Sequence, residues 1–492
     1  MPATMRVLAA DLGAESGRVV AGSFDGERIA LEEVHRFSNR PVEIGGTLHW
    51  DVLRLYADVV DGIRAAGRIE SVGVDTWGVD FGLLDRTGHL LGNPVHYRDR
   101  RTDGMLDEAF RRVPRQEIYS RTGIQFLPIN TLYQLLALVK SGDPHLEAAD
   151  RLLTMPALMA YWLCGVQADE FTDATTTQCY DARAGGWATD LLDRLDIPSR
   201  IFGDVVQPGT KLGSLRPELA LGQVKLIAPG THDTASAVAA VPFSPGRLAA
   251  YISSGTWSLV GLEMPHPVIN AAALDSNLTN EGGVAGTFRL LKNVMGMWLL
   301  QECRRAWVGT RADLPYHDLI RLAEEAPAFA AVIDPDDERL LRPGDMPALI
   351  ATLAAENGMA LPPDPGKFVR CIFESLALKY RWTIEQLQRV TGSDVETIHV
   401  VGGGAKNRLL CQMTADACGR PVVAGPVEAT TMGNLMVQAT ALGLVASLEQ
   451  ARELVRQSVS VDTFEPVPSD GWENAWHRFR GGQQPGTERR LA

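Results

Sequence analysis

The sequence is 492 residues long, 45% hydrophobic and 22% charged, with a formal net charge of −13. That length exceeds one ordinary core and points to two large domains of a globular protein. The acidic balance excludes a nucleic-acid surface, which needs a basic face, but not anionic ligands held by backbone N–H groups and helix ends.

The first apolar run, Val7 to Ala10, is too short for a signal peptide. Nowhere do about 18 uncharged apolar residues follow one another, so no membrane span is expected and a cytoplasmic protein is. Arg6 to Ala10 and Val19 to Gly22 read as two strands joined by the turn Asp11-Leu12-Gly13-Ala14-Glu15-Ser16-Gly17-Arg18. Gly13 and Gly17 let a backbone approach a ligand, Ser16 and Arg18 suit phosphate oxygens, and Asp11 suits a water-bridged Mg²⁺. An ordinary hairpin with a solvated turn fits the same residues.

Trp50 to Ala66 has helical apolar spacing and stops at Gly67. Ile69 to Val74 is a buried strand running into Asp75-Thr76-Trp77-Gly78-Val79-Asp80-Phe81-Gly82. Such a strand end is where α/β proteins place ligand contacts, here a sugar-contacting loop. A Trp packed beneath a hairpin, with both aspartates as turn residues, is the plain alternative, and a hydrolase's carboxylate pair is another. Asn93 to Arg101 crowds charge into a loop, which solvent or a ligand could equally explain. Gln125 to Val139 continues as an apolar helix, and Asp169 to Thr177 is a polar turn at a helix start. Val224 to Ala228 is a short strand, followed by Pro229-Gly230-Thr231-His232-Asp233 and a small-residue helix from Thr234. Asp233 is either that helix's N-cap or a carboxylate poised to accept a substrate proton.

Pro242 to Gly246 is the best domain boundary, separating residues 1–241 from 247–468 and a tail of 469–492. Beyond it the opening unit recurs: strand Leu248 to Ile252, turn Ser253-Ser254-Gly255-Thr256-Trp257-Ser258, strand Leu259 to Leu262. Leu291 to Gln301 reads as a buried helix interrupted by Asn293 and Gln301, each a hydrogen-bond hub or a ligand contact. Lys367 to Thr391 is a long helix before the strand Thr397 to Val401 and the turn Gly402-Gly403-Gly404, as Trp50 to Ala66 precedes its own strand. The pattern indicates an internal duplication. No GxGxxG and no Walker-type loop is present, which excludes a dinucleotide enzyme or a P-loop ATPase. Cys164, Cys179, Cys303, Cys371, Cys411 and Cys418 are scattered without a CxxC, as reduced core thiols are, although Cys411 and Cys418 are close enough in sequence to pair. The tail beyond about Ser469 reads as frayed, with 481–486 linker-like.

Taken together, Asp11 to Arg18, Asp75 to Phe81, Tyr97-Arg98-Asp99, Gly123 to Pro128, Asn130 to Leu135, His232 to Ala237, Ser253 to Leu259, Leu291-Lys292-Asn293 and Val401 to Gly404 resemble the FGGY sugar kinases. The resemblance spans about Met5 to Asp462. It implies an α/β protein of the actin-like ATPase (ribonuclease H-like) fold, with two duplicated domains and a central cleft closing on ATP and a ketose. On it, Ala14, Glu15, Ser16, Gly17, Arg18 and Thr256 hold the ATP phosphates, while Gln301 and Gly403 meet the nucleotide. Gly78, His232, Thr234 and Asn293 bind the ketose, with Asp233 as the base. Mg²⁺ follows from ATP use, with Asp11 as its carboxylate, and a monomer or small homo-oligomer is expected. Glu15 departs from the Ser or Thr common in relatives and sets a negative charge beside phosphates unless it turns away. Ala354 and Thr414 stand where a relative carries Cys, so no disulfide carries over. A non-catalytic actin-like module, switched by ATP or sensing a sugar, is the rival from another class.

Overall fold

The computed structural model describes residues 5–244 and 246–481, so Pro245 of the interdomain boundary and the linker-like 482–486 lie outside the described residues. Two compact units form. One holds the described residues up to Pro242, then Glu263–Leu291 and Glu428–Ser460; the other holds Phe243–Leu262, Lys292–Val427 and the described residues from Val461.

In the first unit β1 (Met5–Leu12), β2 (Ser16–Phe24) and β3 (Ile29–Ser38) make an antiparallel meander. The helix Val52–Ala66 follows, capped by the Asp51 side chain and ended by Gly67 at φ 69°. Its Leu55, Val59 and Ile63, one face at helical spacing, are buried. It leads into β4 (Ser71–Thr76), which joins β1 in parallel with Asp11 opposite Asp75. With β5 (Lys211–Ser214) and β6 (Lys225–Ile227) the order is β5-β6-β4-β1-β2-β3.

The helix Ala429–Leu442 comes back to this sheet from near the end of the chain and presents Thr431, Asn434 and Gln438 along one side. Asn434 Nδ2 donates to Gly73 O at 3.2 Å, and Gln438 Nε2 donates to Leu8 O at 2.8 Å. Gly433 presses on the helix Asp233–Ala239 so closely that a Cβ there would lie 1.7 Å from Ser236 O.

The second unit repeats the plan. β7 (Ala249–Ser254) and β8 (Trp257–Met264) are antiparallel. The hairpin of β9 (Thr279–Gly282) and β10 (Phe288–Met295) comes next, its paired residues up to Leu291 belonging to the first unit. After the 27-residue helix Pro365–Thr391, β11 (Thr397–Val401) joins β7 in parallel. β12 (Val422–Ala424) and β13 (Asp462–Phe464) complete the unit's order β10-β8-β7-β11-β12-β13. Meander, long helix, parallel strand: the expected duplicated α/β architecture is the observed one.

Two expectations are corrected. Leu291 to Gln301 is not one helix, because the chain stays extended through Met295 and turns helical only at Trp298. Between them a Cβ on Gly296 would lie 2.6 Å from the Trp257 backbone, so this glycine is fixed by a close crossing. Nor is the stretch after Ser469 frayed: Asp470–Gly481 is a helix that buries Trp472, Ala475, Trp476 and Phe479. Among the described residues no helix is long and apolar enough to cross a membrane, and all six cysteines are free.

Candidate active site

Because β1, β4 and β6 are parallel, their carboxyl ends share one edge of the sheet, where such folds bind ligands. After β6 the chain reaches Thr231, whose carbonyl accepts the Thr76 N–H at 2.9 Å, and His232 bridges to Thr76. Asp11, Asp75 and Asp233 thus end three neighbouring segments.

Asp233 is the first residue of its helix, and the cap position falls one residue earlier, on His232. The N-cap reading therefore fails. Asp233 Oδ1 accepts from Thr234 Oγ1 at 3.1 Å and faces His232 Nε2 at 3.5 Å, with 30% of the side chain exposed. Burial lifts its carboxyl above the ordinary value, His232 offsets part of the rise, and Asp11 adds to it.

Asp75 is wholly buried. Its Oδ2 accepts from Asn434 Nδ2 at 2.5 Å, while Oδ1 has no hydrogen-bond partner among the described residues. Burial, and next the charge of Asp11, hold its carboxyl well above the usual range. Asp11 Oδ2 accepts from Arg18 at 2.8 Å and from Thr431 Oγ1 at 3.1 Å, and Arg18 also pairs with Glu428. Burial works against the Arg18 charge, but Asp11 and Glu428 outweigh it and raise its pKa. Asn434 and Thr431 were not foreseen from sequence. Their signal is a polar stripe spaced three and four residues apart on a mainly apolar helix.

His232 is buried against a second unforeseen group, an ion pair across the β9–β10 hairpin. Glu281 and Arg289 oppose each other in register, and Arg289 Nη2 lies 3.1 Å from Glu281 Oε2. The same Nη2 is 3.0 Å from His232 Nδ1, which lies 3.3 Å from Glu281 Oε2. Arg289 is fully buried, and its Nε donates to Gly282 O at 2.8 Å. No local signal in the sequence singles it out, since β10 also carries Lys292 and Asn293 among its apolar residues.

The loop after β4 is rigidly built. Val79, β-branched, sits at φ 69°, a strained conformation found where surroundings over-determine it. Its N–H donates to Thr176 Oγ1 at 3.1 Å, and its carbonyl accepts from Thr131 Oγ1 at 2.6 Å. Gly78 leaves the gap this needs, since a Cβ would lie 2.8 Å from Thr176 Oγ1. Asp80 Oδ2 accepts from both Trp50 Nε1 at 2.6 Å and Trp77 Nε1 at 3.0 Å, while Oδ1 accepts from Gln134 at 3.0 Å. Burial pushes its carboxyl up to about 6 against those hydrogen bonds. With Asp75 on Asn434 and Asp80 on two indoles, the hydrolase pair is excluded. The charged run after Asn93 is no solvated loop either. His96, Tyr97, Arg98 and Asp99 are buried, and Asp99 Oδ2 accepts from Leu48 N at 2.9 Å.

The turn after β1 carries Ala14, Glu15 and, at the start of β2, exposed Ser16. Asn39 braces it, donating Nδ2 to Gly13 O at 2.9 Å and its backbone N–H to Glu15 O at 2.9 Å. Gly17 is needed for packing, since a Cβ would lie 2.2 Å from the Phe37 ring.

In the second unit the corresponding turn holds Gly255 and Thr256. Thr256 O accepts from Gly296 N at 3.2 Å and Trp298 N at 3.1 Å, fixing the turn on the start of the helix Trp298–Trp307. That helix carries Gln301, whose buried Oε1 has no hydrogen-bond partner among the described residues. It is thus no structural hub at that atom. Asn293 stands on β10 before the Gly296 crossing, half-buried. Of the three glycines after β11, Gly402 has φ 81° and a Cβ on Gly404 would lie 2.0 Å from Ser254 Oγ. Gly403 is exposed, with none of the described residues within 4 Å of where its Cβ would stand.

Comparison with known proteins identifies the family and the fold. A rhamnulokinase of Bacteroides thetaiotaomicron is 44% identical over 480 residues, covering 96% of this chain and 98% of its own length. A rhamnulokinase of Oceanobacillus iheyensis is 41% identical over 471 residues, covering 94% and 99%. The crystal structure of gluconate kinase from Lactobacillus acidophilus, 18% identical, superposes with a TM-score of 0.78 over 97% of this chain and 96% of its own, which shows the shared fold. The N-terminal domain of the FGGY family of carbohydrate kinases matches residues 6–240 and its C-terminal domain residues 250–442. The two duplicated units, each opening on a strand–turn–strand and carrying its polar groups at strand ends, are those of a phosphotransferase, and the chain belongs to the FGGY family of carbohydrate kinases.

Proposed function

We propose that the protein transfers the γ-phosphoryl group of ATP to the 1-hydroxyl of L-rhamnulose, giving L-rhamnulose 1-phosphate and ADP in L-rhamnose breakdown in the cytoplasm. The observation that carries the chemistry is Asp233, the one accessible carboxylate of the three at the strand edge. The near full-length likeness to rhamnulokinases supports the choice of ketose.

Asp233 takes the proton of the 1-hydroxyl as its oxygen bonds to the γ-phosphorus and the bond to the bridging oxygen of ADP breaks. Thr234 and His232 hold the carboxylate in place, and Gly78, His232, Thr234 and Asn293 orient the ketose. Ala14, Glu15, Ser16, Gly17, Arg18 and Thr256 receive the phosphates, with Gln301 and Gly403 at the nucleotide. Phosphoryl transfer asks mainly for positioning and charge neutralisation. Residues 1–241 and 247–468 act as the two functional halves, followed by 469–492.

Among the described residues no three His, Cys, Asp or Glu are grouped to bind a metal directly. The unpartnered Oδ1 of Asp75 beside Asp11 is a hard oxygen suited to Mg²⁺ through water. Asp11 is its proposed carboxylate; when bound, the ion would neutralise phosphate charge.

The test is ADP release with ATP and a panel of ketoses. L-Rhamnulose is expected to give the highest kcat/KM. A preference for L-fuculose or xylulose would assign another ketose, and sugar-independent ATP binding without turnover would leave the non-catalytic module.

A further inference from the structure

The contact between Arg289 and His232 restricts where the histidine keeps its proton. A guanidinium offers N–H donors, has no acceptor and stays charged at any working pH. Arg289 Nη2 lies 3.0 Å from His232 Nδ1 in hydrogen-bond geometry, so Nδ1 must present its lone pair. A neutral imidazole with an accepting Nδ1 carries its proton on Nε2, and Nε2 is the nitrogen that faces Asp233 at 3.5 Å.

The guanidinium cannot swing away easily. Gly282 O takes its Nε at 2.8 Å, and Glu281 Oε2 lies 3.1 Å from Nη2. Glu281 also stands 3.3 Å from Nδ1 and, alone, would draw a proton there. Paired with Arg289, it becomes a counter-charge instead.

We propose that Arg289, with Glu281 as its counter-charge, is a positioning residue that fixes His232 as the Nε2–H tautomer and aims that N–H at the oxygens beside Asp233. The functional meaning rests on the reading of Asp233 as the base. His232 then does not compete for the substrate proton, because its lone pair is occupied by Arg289. It acts as a donor, to the Asp233 carboxylate or to a ketose oxygen next to the reacting hydroxyl.

The test reads the tautomer directly, by ¹⁵N NMR of the full-length protein labelled at histidine, in mildly alkaline buffer. His232→Asn identifies the signal. The expected ring is neutral with its proton on Nε2; a ring protonated at Nδ1, or at both nitrogens, overturns the proposal. Arg289→Met with Glu281→Gln removes both charges together, so no lone buried charge remains. This pair is expected to lose the fixed tautomer and at least about tenfold in kcat, as a misplaced imidazole proton does, with KM for ATP unchanged. Arg289→Lys, which keeps a cationic donor, is expected to recover part of the loss. Unchanged tautomer and kcat in the folded double variant would overturn the assignment, and if that variant does not fold the wild-type spectrum decides. An Nε2–H ring in a protein without kinase activity would refute the activity and leave the proton assignment standing.

Discussion

Asp233 and Asp75 lie on neighbouring segments and differ mainly in access, which is why Asp233 is the proposed reacting group and Asp75 a supporting one. Asp75 is buried with one oxygen held by Asn434, whereas 30% of the Asp233 side chain is exposed. Replacing Asp233 by Asn is expected to keep ATP and sugar binding and to cost at least about a hundredfold in turnover, the scale of general-base loss. Turnover near wild type would return Asp233 to a structural role. The pH dependence has a definite sign. A base must be ionised, and burial raises this carboxyl. So kcat/KM should fall on the acid side with a midpoint above the ordinary Asp value of about 3.9. A midpoint at or below that value would mean another group controls the rate. Asp233 was legible in sequence because its strand, Pro-Gly turn and small-residue helix are contiguous. Arg289 was not, since its partner His232 is 57 residues away and no local pattern marks the pair.

Among the elements, the glycine turn after β11 divides its labour. Gly402 supplies a backbone conformation and Gly404 the room for Ser254, which leaves Gly403 without a packing duty. Gly403→Val is therefore expected to unfold at the wild-type temperature and to bind ATP more weakly by calorimetry. Gly404→Val should lower stability by about 1–3 kcal/mol or more, the cost of overpacking. Equal ATP affinity in Gly403→Val would make the turn purely structural. Periodicity alone missed β10, because a fully buried strand and a buried helix look alike as apolar runs. The Gly296 crossing that separates strand from helix depends on Trp257, far earlier in sequence. The terminal helix was missed for a related reason: its four buried residues sit in a segment of polar composition, where spacing counts for more than content.

Across the whole molecule, the duplication was legible because each strand–turn–strand and each long helix is local. The interleaving of the units was not. Gln438 and Leu8, which share a hydrogen bond, are 430 residues apart. A fragment ending at Pro242 lacks Glu263–Leu291 and Glu428–Ser460, so β1 and β4 lose the helix Ala429–Leu442 and its hydrogen bonds. That fragment is expected to show no cooperative thermal transition and fast amide exchange in β1 and β4. A sharp transition would mean the first unit stands without its returning helix. The same helix sets a clock during synthesis. With translation at about 5–20 residues per second, roughly 10–40 s pass between the emergence of Pro242 and that of the last residues of this unit. Throughout that interval the nascent chain carries Asp11 and Asp75 without Thr431 and Asn434. The strand edge that holds the proposed base is thus among the first parts made and among the last completed, and chaperone protection of the growing polypeptide is expected to matter most in that window.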